Sequence, residues 1–310
     1  MTIEPMSEKF AGMLRDESRM EGHVDAVARP RDYEQLAQAV KYAAQNGMRV
    51  TMQGAATGVE GGAVPHGGLL ISTRGMNRIL GLRECEGKYF LRVQAGVTLE
   101  QMEEYLRKPI DSKACFFPPN PTEKTATLGG AFASDAIGTR GRVRDHVGDV
   151  LWIGGIIAEL ELALRPVPGY NWGVLLFFTS PGDAKVFTQS SASIGFAGHA
   201  YFDAAALALL RTQNANIPID ACDALYLALS GENEAAIEAH LTELLGLYLD
   251  TGGRDEYAWA AEGPAEMEKF QAMCHAVPEL VNSELDRAGR VQPGLCKAAL
   301  DKLYMNLCAI

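Results

Sequence analysis

The feature that most constrains this chain is the stretch VTMQGAATGVEGGAVP at residues 50–65. It begins as an apolar, strand-like run and then places four glycines (Gly54, Gly58, Gly61 and Gly62) within nine positions, with Ala55, Ala56 and Ala63 among them. Glycine has no Cβ, so such a run either turns the backbone tightly or lets several N–H groups converge on one anion. It is not a Walker A loop, because no Gly-Lys-Ser/Thr follows, and G-x-G-x-x-G is absent. Taken alone, the stretch reads equally well as a glycine-rich surface turn.

A second segment changes that balance. PPNPTEKTATLGGAFASDA, residues 118–136, sets the hydroxyls of Thr125 and Thr127 before the adjacent Gly129 and Gly130, with Ala131, Ala133, Ser134 and Ala136 after them. Two such loops can clamp an extended dinucleotide, one cradling phosphate and the other giving backbone access to the ring.

The intervening sequence alternates helix and strand signals. Asp32 and Gln35 have capping-box spacing ahead of Leu36, Ala39, Val40 and Ala43, which share a helical face, and Thr98 with Gln101 repeats the device before LEQMEEYLR. MRVTM, GGLLIST and YFLRVQAG read as strands. In ELELAL, Leu160, Leu162 and Leu164 alternate with Glu159, Glu161 and Ala163, a half-buried strand ended by Pro166 and Pro168. These prolines mark a domain boundary, with a first domain over residues 1–167 and a second over 168–310. In the second, WGVLLFFT and DALYLALS are strands, Ser180 and Asn233 are helix N-caps, and the build is a small α+β sandwich of ferredoxin-like type.

Composition excludes several function classes. With 28 basic and 39 acidic residues, a net charge of −11 and no Lys/Arg run, nucleic acid is an unsuitable partner. Apolar runs such as GVLLFF are far shorter than the ~18 residues of a membrane span, and MTIEPMSEKF lacks the layout of a secretory signal. Six dispersed cysteines (Cys85, Cys115, Cys222, Cys274, Cys296 and Cys308), without C-x-x-C, favour reduced thiols in the cytoplasm over disulfides or a metal site. Cys115 and Cys296 are expected to be buried apolar residues.

The order of RP…EQLAQAV, VTMQGAATGVEGGAVP, LRVQAGVTLEQM, FFPPNPTEKTATLGGAFASDA and IIAELELALRPVP resembles the FAD-binding domain of the vanillyl-alcohol oxidase and p-cresol methylhydroxylase superfamily. Within it, the chain is most similar to the FAD-linked D-lactate dehydrogenase and glycolate oxidase branch. LLFFTSPGDA, YFDAAALALL and KFQAMCHAVPELVN resemble that branch's substrate-side cap domain. The resemblance implies an α+β fold with a two-lobed FAD-binding domain followed by a cap. It implies non-covalent FAD held by Gly54, Ala55, Ala56, Thr57, Gly58 and Gly62, by Pro119, Thr122, Thr127, Gly129, Gly130, Ala133, Asp135 and Gly138, and by Ile157. It further implies a dehydrogenase for small 2-hydroxy acids of the D-lactate or glycolate class. Its electron acceptor is unassigned, a partner redox protein being one form, and a homodimer is compatible. The scaffold also supports oxidases of other alcohols, and a flavin-free or truncated subunit of a larger oxidoreductase is the non-enzymatic alternative.

The resemblance offers Lys297 for a substrate carboxylate and places His275 where relatives carry an Arg–His pair, with Cys274 in the Arg position. Cysteine cannot make the bidentate contact of arginine. A solvated lysine and a helix-face histidine are the plainer readings of Lys297 and His275. His66 and His146 read as structural, and no catalytic base is named. Three departures from the family stand out. RDHV runs directly into GDVLWIGG where several dozen residues usually intervene, GSEGTLGIVTE is reduced to GGIIAE, and the carboxy-terminal glycine–aspartate–histidine cluster does not appear. The first two predict backbone breaks near Val147–Asp149 and at Gly154–Gly155.

Overall fold

The computed structural model describes residues 2–108 and 114–289. Two compact units part between Val167 and Pro168, and the first is built on two sheets.

Strands β1 (Ile3–Pro5), β2 (Ala26–Ala28), β3 (Val50–Gln53) and β4 (Leu69–Ser72), with helix α1 (Tyr33–Gln45), form the first layer. The strand order is β1-β2-β4-β3, with β2, β4 and β3 parallel and β1 antiparallel. Asp32 caps α1, accepting the Gln35 N–H at 2.8 Å. Leu36, Ala39 and Ala43 bury the helix against Ala26, Ala28, Leu69 and Ile71, while Phe10, Val24, Val27 and Leu70 cover the other face. Since β2, β4 and β3 run the same way, their carboxyl ends form one edge, and the glycine-rich loop leaves from that edge.

The second layer contains β5 (Ile79–Cys85), β6 (Lys88–Gln94), α2 (Leu99–Leu106), β7 (Cys115–Phe116), α3 (Leu128–Ala133), β8 (Ile137–Gly138), β9 (Gly141–Arg142), β10 (Val147–Ile153) and β11 (Ile156–Pro166). Its antiparallel sheet has the order β10-β11-β6-β5, with β7 on the end of β11 and β8 paired with β9. Leu160, Leu162 and Leu164 face a core of Leu91, Val93, Leu99, Met102 and Leu128. The predicted backbone breaks do not occur. β10 pairs with β11 from Val147↔Leu162 to Ile153↔Ile156, with a register shift between Val147 and Asp149. Gly154 and Gly155 close the hairpin at φ +57° and +82°. A glycine pair tolerates that left-handed turn, so the shortened segment closes the sheet directly.

The second unit comprises β12 (Tyr170–Phe178), α4 (Pro181–Ser191), β13 (Gly198–Phe202), α5 (Ala204–Arg211), β14 (Asp223–Gly231), α6 (Glu234–Asp250), β15 (Ala258–Glu262) and α7 (Pro264–Ala288). The sheet order is β13-β14-β12-β15, antiparallel throughout. Phe187, Ile237, Leu244 and Tyr248 of α4 and α6 pack on one face. A ferredoxin-like unit needs only that pair, but here Leu207, Leu210, Met267 and Cys274 of α5 and α7 cover the other face as well. The reason is legible in β12 and β14, which are apolar on both sides, with seven consecutive buried residues each.

Candidate functional site

The first glycine-rich loop begins at the end of β3, and its start is pressed against the second loop. A Cβ on Gly54 would lie 2.1 Å from Thr127 Oγ1 and 3.3 Å from its Cβ. Thr127 is 1% exposed and its Oγ1 caps α3 by accepting the Gly130 N–H at 3.3 Å. Gly54 is therefore small to admit a neighbouring threonine. The same holds for Gly129, whose Cβ would meet Ala95 Cβ at 2.7 Å and Ala95 O at 2.8 Å, and for Gly138, whose Cβ would meet Pro119 O at 1.7 Å. These three glycines weld the two loops and the β6–α2 turn together. The Gly129 N–H donates to Ala95 O at 2.9 Å, and the Ala95 N–H to Ala158 O of β11 at 2.9 Å.

The remainder of the first loop is differently built. Gly58 has only Asp16 Oδ2, at 4.0 Å, near its Cβ position, and Gly62 has nothing within 4 Å. Ala56 sits at φ +61°, a left-handed conformation uncommon for alanine that turns successive N–H groups toward one side. Among the described residues, no hydrogen bond takes up the N–H groups of Ala55, Ala56, Thr57 and Gly58. Ala55, Ala56 and Thr57 are half-buried and Gly58 is exposed, so these donors are open to solvent or to a ligand. Backbone donors left free in this way suit an anion such as the diphosphate of a dinucleotide.

In the second loop, Asp135 has φ +50° and its carboxylate accepts from Arg142 at 2.7 Å, while its Oδ1 is buried with no hydrogen-bond partner. Thr122 is half-buried, Gly130 and Ala133 are exposed, and Ile157 is half-buried in β11 opposite Trp152.

Sequence reading did not single out the brace behind the first loop. Asp16, 6% exposed, accepts the Ser18 N–H at 3.0 Å and the Ala63 N–H at 3.4 Å. Gln53 Nε2 donates to Met13 O at 2.9 Å and to Ala63 O at 3.1 Å. Buried polar side chains must find partners, but these partners lie up to 47 residues away in sequence, so no local pattern announces them.

In the second unit, Cys274 is buried in the α5–α7 face of the sheet, and burial pushes its thiol up to about 12. It is a neutral core residue at physiological pH. His275 is half-buried on α7, and Lys297 lies outside the described residues. Cys115 is buried too. His66 forms an isolated parallel backbone bridge with His23. Burial, and then the charge of Arg165, lower the pKa of His146, which packs edge-on against Phe117. His199 of β13 is held neutral by burial, its pKa lowered to about 4. Among the described residues, no cluster of His, Cys, Asp or Glu could hold a metal ion, and no helix is long and apolar enough to cross a membrane.

Residues 24–153 match the model of the FAD binding domain family. The D-lactate dehydrogenase of Anaerostipes hadrus is 34% identical over 164 residues, covering 50% of this chain and 33% of that protein. The D-2-hydroxyglutarate dehydrogenase of Escherichia coli is 36% identical over 147 residues, covering 44% and 14%. The chain thus spans a third or less of the length of these curated relatives. A solved alkyldihydroxyacetonephosphate synthase superposes with a TM-score of 0.62 at 17% identity, covering 81% of this chain and 58% of that one, which is a likeness of fold.

Proposed function

We propose that the chain, whose residues 24–153 match the FAD binding domain family, belongs to the vanillyl-alcohol oxidase and p-cresol methylhydroxylase superfamily and is an FAD-dependent dehydrogenase of D-2-hydroxy acids, of the D-lactate or glycolate class. The observation that carries the cofactor half of this reading is the run of unsatisfied N–H groups at residues 55–58, fixed beside the second loop by the Gly54–Thr127 contact. The substrate half is supported by the similarity to D-lactate and D-2-hydroxyglutarate dehydrogenases.

The chain's own residues divide the work. Ala55, Ala56, Thr57 and Gly58 hold the diphosphate through backbone donors, and Gly62 keeps the loop exit free of side chain. Thr127, Gly129 and Gly130 lock the second loop in place, and with Pro119, Thr122, Ala133, Asp135, Gly138 and Ile157 they shape the ring-side wall; the buried Oδ1 of Asp135 is an acceptor for a cofactor hydroxyl or amide. Bound FAD supplies the acceptor for the hydride leaving the substrate α-carbon. The hydroxyl proton goes to a base that the described residues do not assign. Lys297 and His275 are the residues this reading offers to the substrate carboxylate, on the resemblance alone. Binding is non-covalent, the protein is cytoplasmic, and the electrons pass to a separate acceptor.

The buried, neutral Cys274, which by the resemblance stands in an arginine position, supports a second reading, an alcohol without a carboxylate. Anaerobic mixing of the FAD-loaded protein with D-lactate, glycolate or D-2-hydroxyglutarate tests the choice. Bleaching of the flavin band by one of these acids, with the L-isomer inert for the two chiral ones, is the expected result. Bleaching only by uncharged alcohols favours the second reading, and a protein that retains no flavin overturns both.

A further inference from the structure

A cavity of about 720 Å³ opens at the carboxyl ends of β2, β4 and β3, and Gln53, Ala55, Ala56, Ser72, Arg31 and Arg74 are in its wall. In open sheets with parallel strands, ligands settle in the crevice outside those ends. The charge of this wall is lopsided. Three arginines, Arg29, Arg31 and Arg74, face one carboxylate, Glu4. Glu4 is already engaged, by Arg29 at 2.9 Å and by Lys9, and these two cations hold its carboxyl below the usual range. Asp32, next to Arg31, spends its oxygens on the Gln35 N–H at 2.8 Å and Gln35 Nε2 at 3.0 Å. Among the described residues, Arg31 and Arg74 have no carboxylate within ion-pair distance. The stem of Arg31 lies over the turn that carries Arg74, its Cγ 3.4 Å from the Cβ position of Gly75. Two unmatched guanidinium groups thus share a cavity with Ala55 and Ala56, in a chain whose net charge is −11.

We propose that Arg31 and Arg74 make this cavity an electrostatic receptor for the diphosphate of the flavin dinucleotide, so that the protein selects FAD over flavins with fewer phosphates. The inference rests on the FAD reading above. Planar guanidinium forks match phosphate oxygens and supply the charge that the backbone N–H groups of the first loop cannot. The loop fixes position, and the arginines set affinity and its response to salt.

The test compares wild type with the double variant Arg31→Gln/Arg74→Gln, each stripped of flavin and titrated with FAD, FMN and riboflavin at low and high salt. FAD affinity is expected to fall about tenfold for each arginine removed, the weaker end of charge-assisted hydrogen bonding. Its salt dependence should flatten because exposed charges are screened, and riboflavin affinity should not change. A double variant Arg31→Lys/Arg74→Lys should keep most of the salt response and recover only part of the affinity. Equal FAD affinity and equal salt slope in wild type and the glutamine variant overturn the proposal while leaving the cofactor reading intact. A raised KM for the hydroxy acid with unchanged FAD affinity also overturns it, assigning the arginines to substrate. A wild-type protein that binds no FAD fails one step earlier, and the cofactor reading falls with it.

Discussion

Gly54→Ala is the substitution whose cost the structure determines best. The added methyl would stand 2.1 Å from Thr127 Oγ1, far inside contact distance, and Thr127 is buried and cannot swing into solvent. Overpacking of this kind costs about 1–3 kcal/mol. Displacing the hydroxyl also breaks its bond to the Gly130 N–H, a helix cap worth about 1 kcal/mol. The sum is about 2–4 kcal/mol. Thr127→Ala alone should cost only the cap. In the double variant the methyl at position 54 no longer meets an oxygen, and the remaining Cβ–Cβ approach of 3.3 Å needs a shift of a few tenths of an ångström. The double variant should therefore unfold close to where Thr127→Ala does, with a coupling energy of about 2–4 kcal/mol, at the upper end of what residues in contact show. Urea denaturation of the four proteins followed by circular dichroism measures the cycle, and FAD titration of the same set should show binding lost in Gly54→Ala and regained in the double variant. If Gly54→Ala costs the same with and without Thr127, the weld between the loops is not what requires the glycine.

Gly58→Val should leave the melting temperature within about 1 °C, as surface changes do, since only Asp16 lies within 4.0 Å of its Cβ position. It should nevertheless abolish flavin retention; undiminished flavin content would remove the 55–58 segment from the site. His199 should make the second unit acid-sensitive: its pKa is lowered from 6.5 to about 4 by burial, so the unfolded state binds the extra proton and stability falls as pH drops from about 6.5 toward 4. At pH 5 the loss is about 2 kcal/mol, and His199→Leu should flatten the difference in denaturation midpoint between pH 7 and pH 5; an unchanged pH slope would contradict this. Lys297→Met should raise KM for 2-hydroxy acids about ten- to a hundredfold, the value of a charge-assisted hydrogen bond, with flavin binding intact; an unchanged KM would return Lys297 to the solvated surface.

What could be read in the sequence was whatever depends on neighbours within a few residues. The Asp32–Gln35 and Thr98–Gln101 boxes cap α1 and α2 as their spacing indicates, Ser180 and Asn233 cap α4 and α6, and the alternation in ELELAL gives the buried leucines of β11. The reason for each glycine could not be read in this way. Gly54 answers to Thr127 and Gly129 to Ala95, partners far off in sequence, while Gly58 and Gly62 look no different on paper yet stand open. Likewise, a lone Asp16 carries no periodic signal until the fold brings Ala63 to it. That Cys274 is a core residue depends on α7 packing against the sheet, which its own neighbours in sequence do not announce.

β11 has a temporal meaning as well as a spatial one. It bonds to β6, β7 and β10, and the second loop reaches it through Ala95, whose N–H donates to Ala158 O. A ribosome delivers residues in order, so both glycine-rich loops, at residues 50–65 and 118–136, emerge before the strand at Ile156–Pro166 from which the second loop hangs. Pairing across such separations carries a loop-closure cost that must be met before the contacts repay it. A nascent chain that has not yet released Ile156–Pro166 therefore has both loops and the Gly54–Thr127 contact between them, but not the strand on which Ala95 and the second loop are anchored. If that anchor is required, flavin capture waits for completion of the first unit, and a ribosome-arrested series lengthened until Ile156–Pro166 has cleared the exit tunnel would see it switch on.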